Sequence, residues 1–213
     1  MNNLFKIINL VAVMTLLFFG TSCGEEKIAV RNIPDGQKLT ITPSKGMNLV
    51  GRVTVDGNPR QGVVVSDGNT VTTTDKDGVY QMKTAKAEYV FVSMPEDCQV
   101  DQTKSVPQFF KKISFGTDKA IQRDFVLKSK SVDDSFSLVA LADLQVGTAN
   151  DLELCDPLMT KIADYTKTIK GTVLGISLGD LSWNNPSVYD DYKKIVSKLN
   201  MPVFSVIGNH DHN

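Results

Sequence analysis

Three apolar runs in the last third of the chain each end in groups that bind metals or move protons. FSLVALAD (136–143) ends at Asp143, with Gln145 two residues on. TVLGISLGD (172–180) ends at Gly179-Asp180. PVFSVIGNHD (202–211) ends at Gly208-Asn209-His210-Asp211. Carboxylate, amide oxygen and imidazole nitrogen are all ligands for divalent cations. Carboxylates brought close repel one another unless a cation neutralises them, so grouped strand-end acids point to a metal. A single Asp in such a place is ordinarily a turn former or helix cap. The metal reading rests on three ends acting together. Gly208 permits an unusual turn, after which three polar side chains leave the apolar run in succession. Both histidines of the chain, His210 and His212, lie here, and His212 has no assigned role.

The elements that must position these groups follow from periodicity. The apolar runs are continuous, as expected of strands buried on both faces of a parallel sheet. Leu154, Leu158, Ile162, Tyr165 and Ile169 fall at helical spacing, with Gly171 as a stop. Val188, Tyr192, Ile195, Val196 and Leu199 make a second amphipathic helix. The order β-α-β-α-β calls for a parallel sheet with right-handed crossovers. Ligands of such sheets bind off the carboxyl ends of the strands. Neighbouring strands would therefore deliver Asp143, Gln145, Asp180, Asn209 and His210 to one crevice.

Residues 47–128 follow a different rule. LVGRVTV, GVVVSDGNTVTTT, GVYQMK, AEYVFVSMP and AIQRDFVLK are short β-branched runs separated by Gly/Asp/Asn turns. That pattern predicts a small antiparallel β-sandwich. Asp75 and Asp77 have the spacing of a calcium loop, but turn formers capping a hairpin account for them. The fold class is thus mixed: an antiparallel β-sandwich followed by a β-α-β-α-β α/β region.

The N-terminus has the plan of an export signal. Lys6 precedes an apolar run from Ile7 to Phe19, which is too short to span a membrane comfortably. Gly20, Thr21 and Ser22 then lead to Cys23. This resembles the lipobox of bacterial lipoproteins, with Gly20 in the usual leucine position. The resemblance implies lipidation at Cys23, a polar tether over residues 24–46 and an outer-membrane location in the cell envelope. Cys98 and Cys155, assigned to different domains, are expected to be free thiols. The formal net charge of −1 gives no electrostatic case for nucleic acid.

Two further resemblances bear on function. GRVTVDGNPRQGVVVSDG and VTTTDKDGVYQM resemble the carboxypeptidase-regulatory-like, transthyretin-like sandwich. Asp143-x-Gln145, Gly179-Asp180 and GNHD at 208–211 resemble the first half of a calcineurin-like metallophosphoesterase. The family pattern runs D-x-H, GD, GNH(E/D) and then later histidines. The resemblance implies a β-sandwich fold flanked by helices and a site for two divalent ions, Mn, Fe, Zn or Mg. Asp143 would bind the first ion, Asp180 would bridge both, and Asn209 would bind the second. His210 would stand over a phosphoester substrate as general acid or charge stabiliser, with Asp211 orienting it. The implied reaction is in-line displacement at phosphorus.

Gln145 stands where the pattern has His. A D-P-Q version of the motif marks a subgroup of the family that includes exported proteins with an N-terminal sandwich. The amide oxygen favours harder ions. The later histidines have no counterpart here. The expectation is therefore an incomplete, C-terminally truncated phosphoesterase domain over 136–213, impaired or inactive as it stands. The competing expectation, from a different class, is a lipid-anchored envelope adaptor that binds through the sandwich and keeps a relic of the enzyme.

Overall fold

The computed structural model describes residues 39–85, 87–102, 106–115 and 118–212. The expected signal segment, Cys23 and the tether as far as residue 38 lie outside the described residues. Among the described residues no helix is long and apolar enough to cross a membrane.

Ten strands build the sandwich: β1 Leu49–Val55, β2 Asn58–Pro59, β3 Val64–Ser66, β4 Val71–Thr73, β5 Val79–Met82, β6 Tyr89–Val92, β7 Cys98–Gln99, β8 Phe110–Lys112, β9 Ile121–Gln122 and β10 Phe125–Ser129. One sheet runs β2-β1-β10-β7, with β5 and β9 also on β1; the other runs β4-β3-β6-β8. Between them Leu49, Val53, Val65, Tyr80, Met82, Val90, Val92, Ile121 and Phe125 form a closed core. The expected antiparallel pairing holds except along one edge of β1, whose other edge pairs antiparallel with β2 and β5. Along that one edge, the first half of β1 lies parallel to β9 and the second half parallel to β10. The reason is the path of the chain: β8 belongs to the far sheet, and the segment returning from it closes the near sheet beside β1.

Local chemistry explains the turns and the close approaches. The Asp75 carboxylate accepts the backbone N–H groups of Asp77 and Val79, each at 2.9 Å, so it caps its own hairpin. Gly51 lies so close to the neighbouring chain that a Cβ would stand 1.9 Å from the carbonyl oxygen of Arg123. That oxygen also accepts the buried Tyr80 hydroxyl at 2.6 Å. The end of the expected tether is not free of the sandwich. The buried side chain of Gln122 accepts N–H groups of Thr40 and Ile41 at 2.7 and 3.0 Å. Cys98 and Cys155 are both free thiols.

The second region is β-α-β-α-β, as its periodicity predicts. Strands β11 Phe136–Leu141, β12 Thr172–Ser177 and β13 Val203–Ser205 form a parallel sheet in that order. Helix α1 spans Ala149–Thr166 and helix α2 spans Tyr189–Val196, with 3-10 turns at Pro186–Val188 and Ser197–Leu199. Thr148 caps α1 in a capping box with Asp151. Val188, Tyr192, Val196 and Leu199 are buried, as expected for the second helix.

Two expectations need correction. The strands are not buried on both faces. α1 and α2 share one core with Leu141 and Val203, while Phe136 and Leu138 on the opposite face are 65% and 56% exposed. With order β11-β12-β13, two crossovers of the same hand leave both helices on one side of the sheet. Phe204, on the face turned from the helices, rests against Phe109 of the sandwich, ring centroids 5.6 Å apart.

The apolar stripe of α1 is also displaced. Met159, Ala163 and Thr166 are buried, whereas Leu154, Leu158 and Tyr165 of the expected stripe are exposed. One residue turns a helix by about 100°. The helix carries two adjacent apolar stripes, and the one around Met159 and Ala163 is the one buried. Helix α1 ends at Thr166 rather than at Gly171, whose φ of 89° serves the turn into β12.

Candidate metal and phosphoester site

The chain bends sharply as it leaves the first two strands of the parallel sheet. Asp143, Gln145 and Asp180 have φ of 48°, 46° and 48°, and Asn184 has 51°. These are four of the six non-glycine residues with positive φ among the described residues. The left-handed region crowds Cβ against the backbone and persists where surrounding structure holds it. Here the strain is gathered at one end of one sheet.

Backbone bonds lock the first two strand ends together beyond the sheet itself. Gln145 N–H donates to the Asp180 carbonyl at 2.9 Å, Val146 N–H to Leu181 at 3.0 Å, and Trp183 N–H returns to Val146 at 3.0 Å. The third strand end joins through side chains and one further backbone bond. Oδ1 of Asp180 accepts the backbone N–H of His210 at 3.0 Å. The His210 carbonyl accepts the Asn184 N–H at 3.0 Å and the Ser182 hydroxyl at 3.1 Å.

Asp211 is the buried member of the group. Its two carboxylate oxygens accept the backbone N–H groups of Ser182 and Gly208, each at 2.8 Å. Burial pushes the carboxyl up, but the N–H groups of Ser182, Gly208 and Leu181 together outweigh it and hold the group below its ordinary range. The Tyr189 hydroxyl donates to the Asp211 carbonyl at 2.6 Å. The carboxylate thus ties the third strand end to the loop after β12.

The ring of His210 has other neighbours. Its Nδ1 meets Oδ1 of Asn184 at 3.0 Å. An amide oxygen accepts, so this bond puts the proton on Nδ1 and leaves Nε2 as the free nitrogen. The imidazole lies flat on the Trp183 indole, ring centroids 4.1 Å apart and planes 22° from parallel.

The structure therefore brings Gln145, Asp180, His210 and Asp211 into one bonded cluster. Asp143 and Asn209 stand at the same strand ends, exposed, with no hydrogen bond to another described residue. His212 is also exposed. Trp183, Asn184 and Ser182 are additions that strand-end reasoning missed. Their signal was the polar and aromatic run LSWNN directly after Gly179-Asp180.

Donor chemistry tests the fit of a metal. Among the described residues no three His, Cys, Asp or Glu side chains group to hold an ion. The strand-end set is two carboxylates and two amides, which suits a hard, oxygen-seeking ion with water completing its shell.

Residues 47–130 match a family model described as the N-terminal domain of calcineurin-like phosphoesterases. The match supports the calcineurin-like phosphoesterase superfamily, and it lies wholly on the sandwich, outside the strand-end cluster. No curated protein and no solved structure matches the chain.

Proposed function

We propose that the α/β region carries part of a metal-dependent phosphoester hydrolase site. The observation that carries this reading is the Asp180–His210 bond, which joins a candidate ligand and a candidate proton donor across two strand ends. Asp143 and Gln145 would hold one divalent ion, Asp180 both, and Asn209 the second. Bound ions of this kind supply hydroxide near neutral pH and neutralise phosphoryl oxygens. Nε2 of His210, turned from Asn184, would take up a proton and, in the imidazolium form, pass it to a leaving oxygen. Asp211 keeps the loops in register. On this reading the D-x-Q motif would align the chain with exported members of that superfamily, and Cys23 would carry the lipid anchor. Four oxygen donors are a sparse set for two ions, so weak metal binding and slow turnover are expected.

Titration of the protein with Mn2+, followed by thermal unfolding and calorimetry, tests the site. A ligand of the folded state raises its melting temperature. Mn2+ is expected to do so, and Asp180→Asn, which keeps an acceptor for His210, is expected to remove the shift. A melting temperature indifferent to Mn2+ overturns the reading. Cys23→Ser is expected to move the protein from the membrane to the soluble fraction; unchanged fractionation overturns the anchor.

One observation favours the adaptor reading. A groove of about 670 Å3 on the sandwich is lined by Gln99, Asp101, Gln108, Phe110, Lys111 and Lys128, among others. A glycan array probed with the intact protein, before and after Lys111→Ala, tests it. No binder on the array removes its support.

A further inference from the structure

Trp183 is the single tryptophan of the chain, and it stands three residues past Asp180. Its backbone is tied to Val146, and a Cβ added at Gly147 would touch its own Cβ at 3.4 Å. The indole lies on the His210 ring, whose Nδ1 meets Asn184. The residue is nonetheless 49% exposed. With the base of the side chain held and one ring face covered, the open area belongs to the rest of the indole. A large flat apolar surface is thus presented beside the cluster that includes Asp180 and His210.

We propose that Trp183 is a specificity-determining residue, its open face stacking on a flat aromatic ring in the alcohol part of the substrate. The site then prefers phosphoesters of nucleosides and other aromatic alcohols over those of plain sugars. This rests on the phosphoester reading of the strand-end site. The physical ground is that indole offers the broadest stacking surface of any side chain, and a base laid on it exchanges two wetted faces for one contact. The His210 ring beneath holds the indole plane in place, and Asn184 holds the imidazole. Together they make a stack whose upper face is prepared before a ligand arrives. A residue serving merely to back His210 would treat all phosphoesters alike.

Emission from the single tryptophan reads the proposal directly. Adenosine 5′-monophosphate and ribose 5-phosphate are titrated into the intact protein, with Mn2+ titrated alone as a separate arm. The nucleotide is expected to change the Trp183 emission and to bind about tenfold tighter than the sugar phosphate, equal to about 1.4 kcal/mol. Trp183→Ala, read by calorimetry, is expected to bring the two affinities together, and Trp183→Phe to keep part of the difference. Equal affinities in the unaltered protein, no binding of either, or a preference that survives Trp183→Ala overturns the proposal. Mn2+ bound without nucleotide preference sinks this inference alone. Nucleotide preference without Mn2+ binding sinks the metal reading and leaves the stacking surface standing.

Discussion

A methyl group at Gly208 would stand 2.1 Å from Oδ1 of Asp180 and 2.2 Å from its backbone nitrogen. The ends of β12 and β13 therefore meet with no side chain between them. From the other side, a Cβ on Gly179 would come within 3.0 Å of the Gly208 Cα. The Asp180 carboxylate sits on this glycine contact and accepts the His210 N–H. The position of the candidate bridging ligand is thus set by the absence of two side chains.

Gly208→Ala is expected to force these strand ends apart. Overpacking of this kind costs about 2 kcal/mol. Urea unfolding should show the lower midpoint, and the Mn2+ response should disappear with it. A midpoint equal to that of the unaltered protein would mean that the contact gives way without cost.

Asp211 makes stability depend on acidity. Its carboxyl is held below the ordinary value of 3.8 in the folded protein. The folded state therefore binds fewer protons than the unfolded one near that value. The contribution is fully present above the ordinary value and is lost as pH falls through the lower, folded one. Asp211→Asn is expected to destabilise the protein at neutral pH by about 2 kcal/mol, since the amide nitrogen faces an N–H donor. It should also flatten the stability profile below about pH 4. Unfolding free energies measured across that range check both effects, and parallel profiles would remove Asp211 as the titrating group.

Beneath the sheet, the hydroxyls of Ser177 and Tyr192 meet at 3.2 Å, both residues buried. Burial, opposed by the Ser177 bond, keeps the Tyr192 phenol above its ordinary value, so it stays neutral. Tyr192→Phe removes one partner and leaves the other dry, at a cost of about 1 kcal/mol. Ser177→Ala combined with Tyr192→Phe should cost less than the two single changes added together. Strict additivity would show that the hydroxyls do not interact.

Gly51→Ala addresses the sandwich. A methyl there would meet the Arg123 carbonyl at 1.9 Å and the Tyr80 ring at 2.6 Å. Neither neighbour can move freely, because the Tyr80 hydroxyl is bonded to that same carbonyl. The expected loss is about 3 kcal/mol, visible as a large fall in melting temperature. A small fall would show that β1 and β9 separate easily.

The sequence by itself determined the β-α-β-α-β order of the second region, the turn at Asp75 and the three polar strand ends; the strands Cys98–Gln99 and Phe110–Lys112 were not legible in it. Each legible feature depends on residues near one another in the chain, through period and turn chemistry. Gly208, expected to serve an unusual turn, has no positive φ and instead lets the Asp180 strand end approach. Tertiary structure decided the rest. Two apolar stripes on α1 satisfy the same helical period, and only the sheet selects the one containing Met159 and Ala163. Continuous apolar strands read as buried twice over, yet both helices pack on one side and leave Phe136 and Leu138 open. The parallel partners of β1 come from a segment more than sixty residues away. The stack of Trp183 on His210 joins two strand ends that are separate in sequence and adjacent in the sheet. Local periodicity says which residues can face a core. Which core they meet depends on contacts between distant segments, and those exist only once the chain has closed on itself.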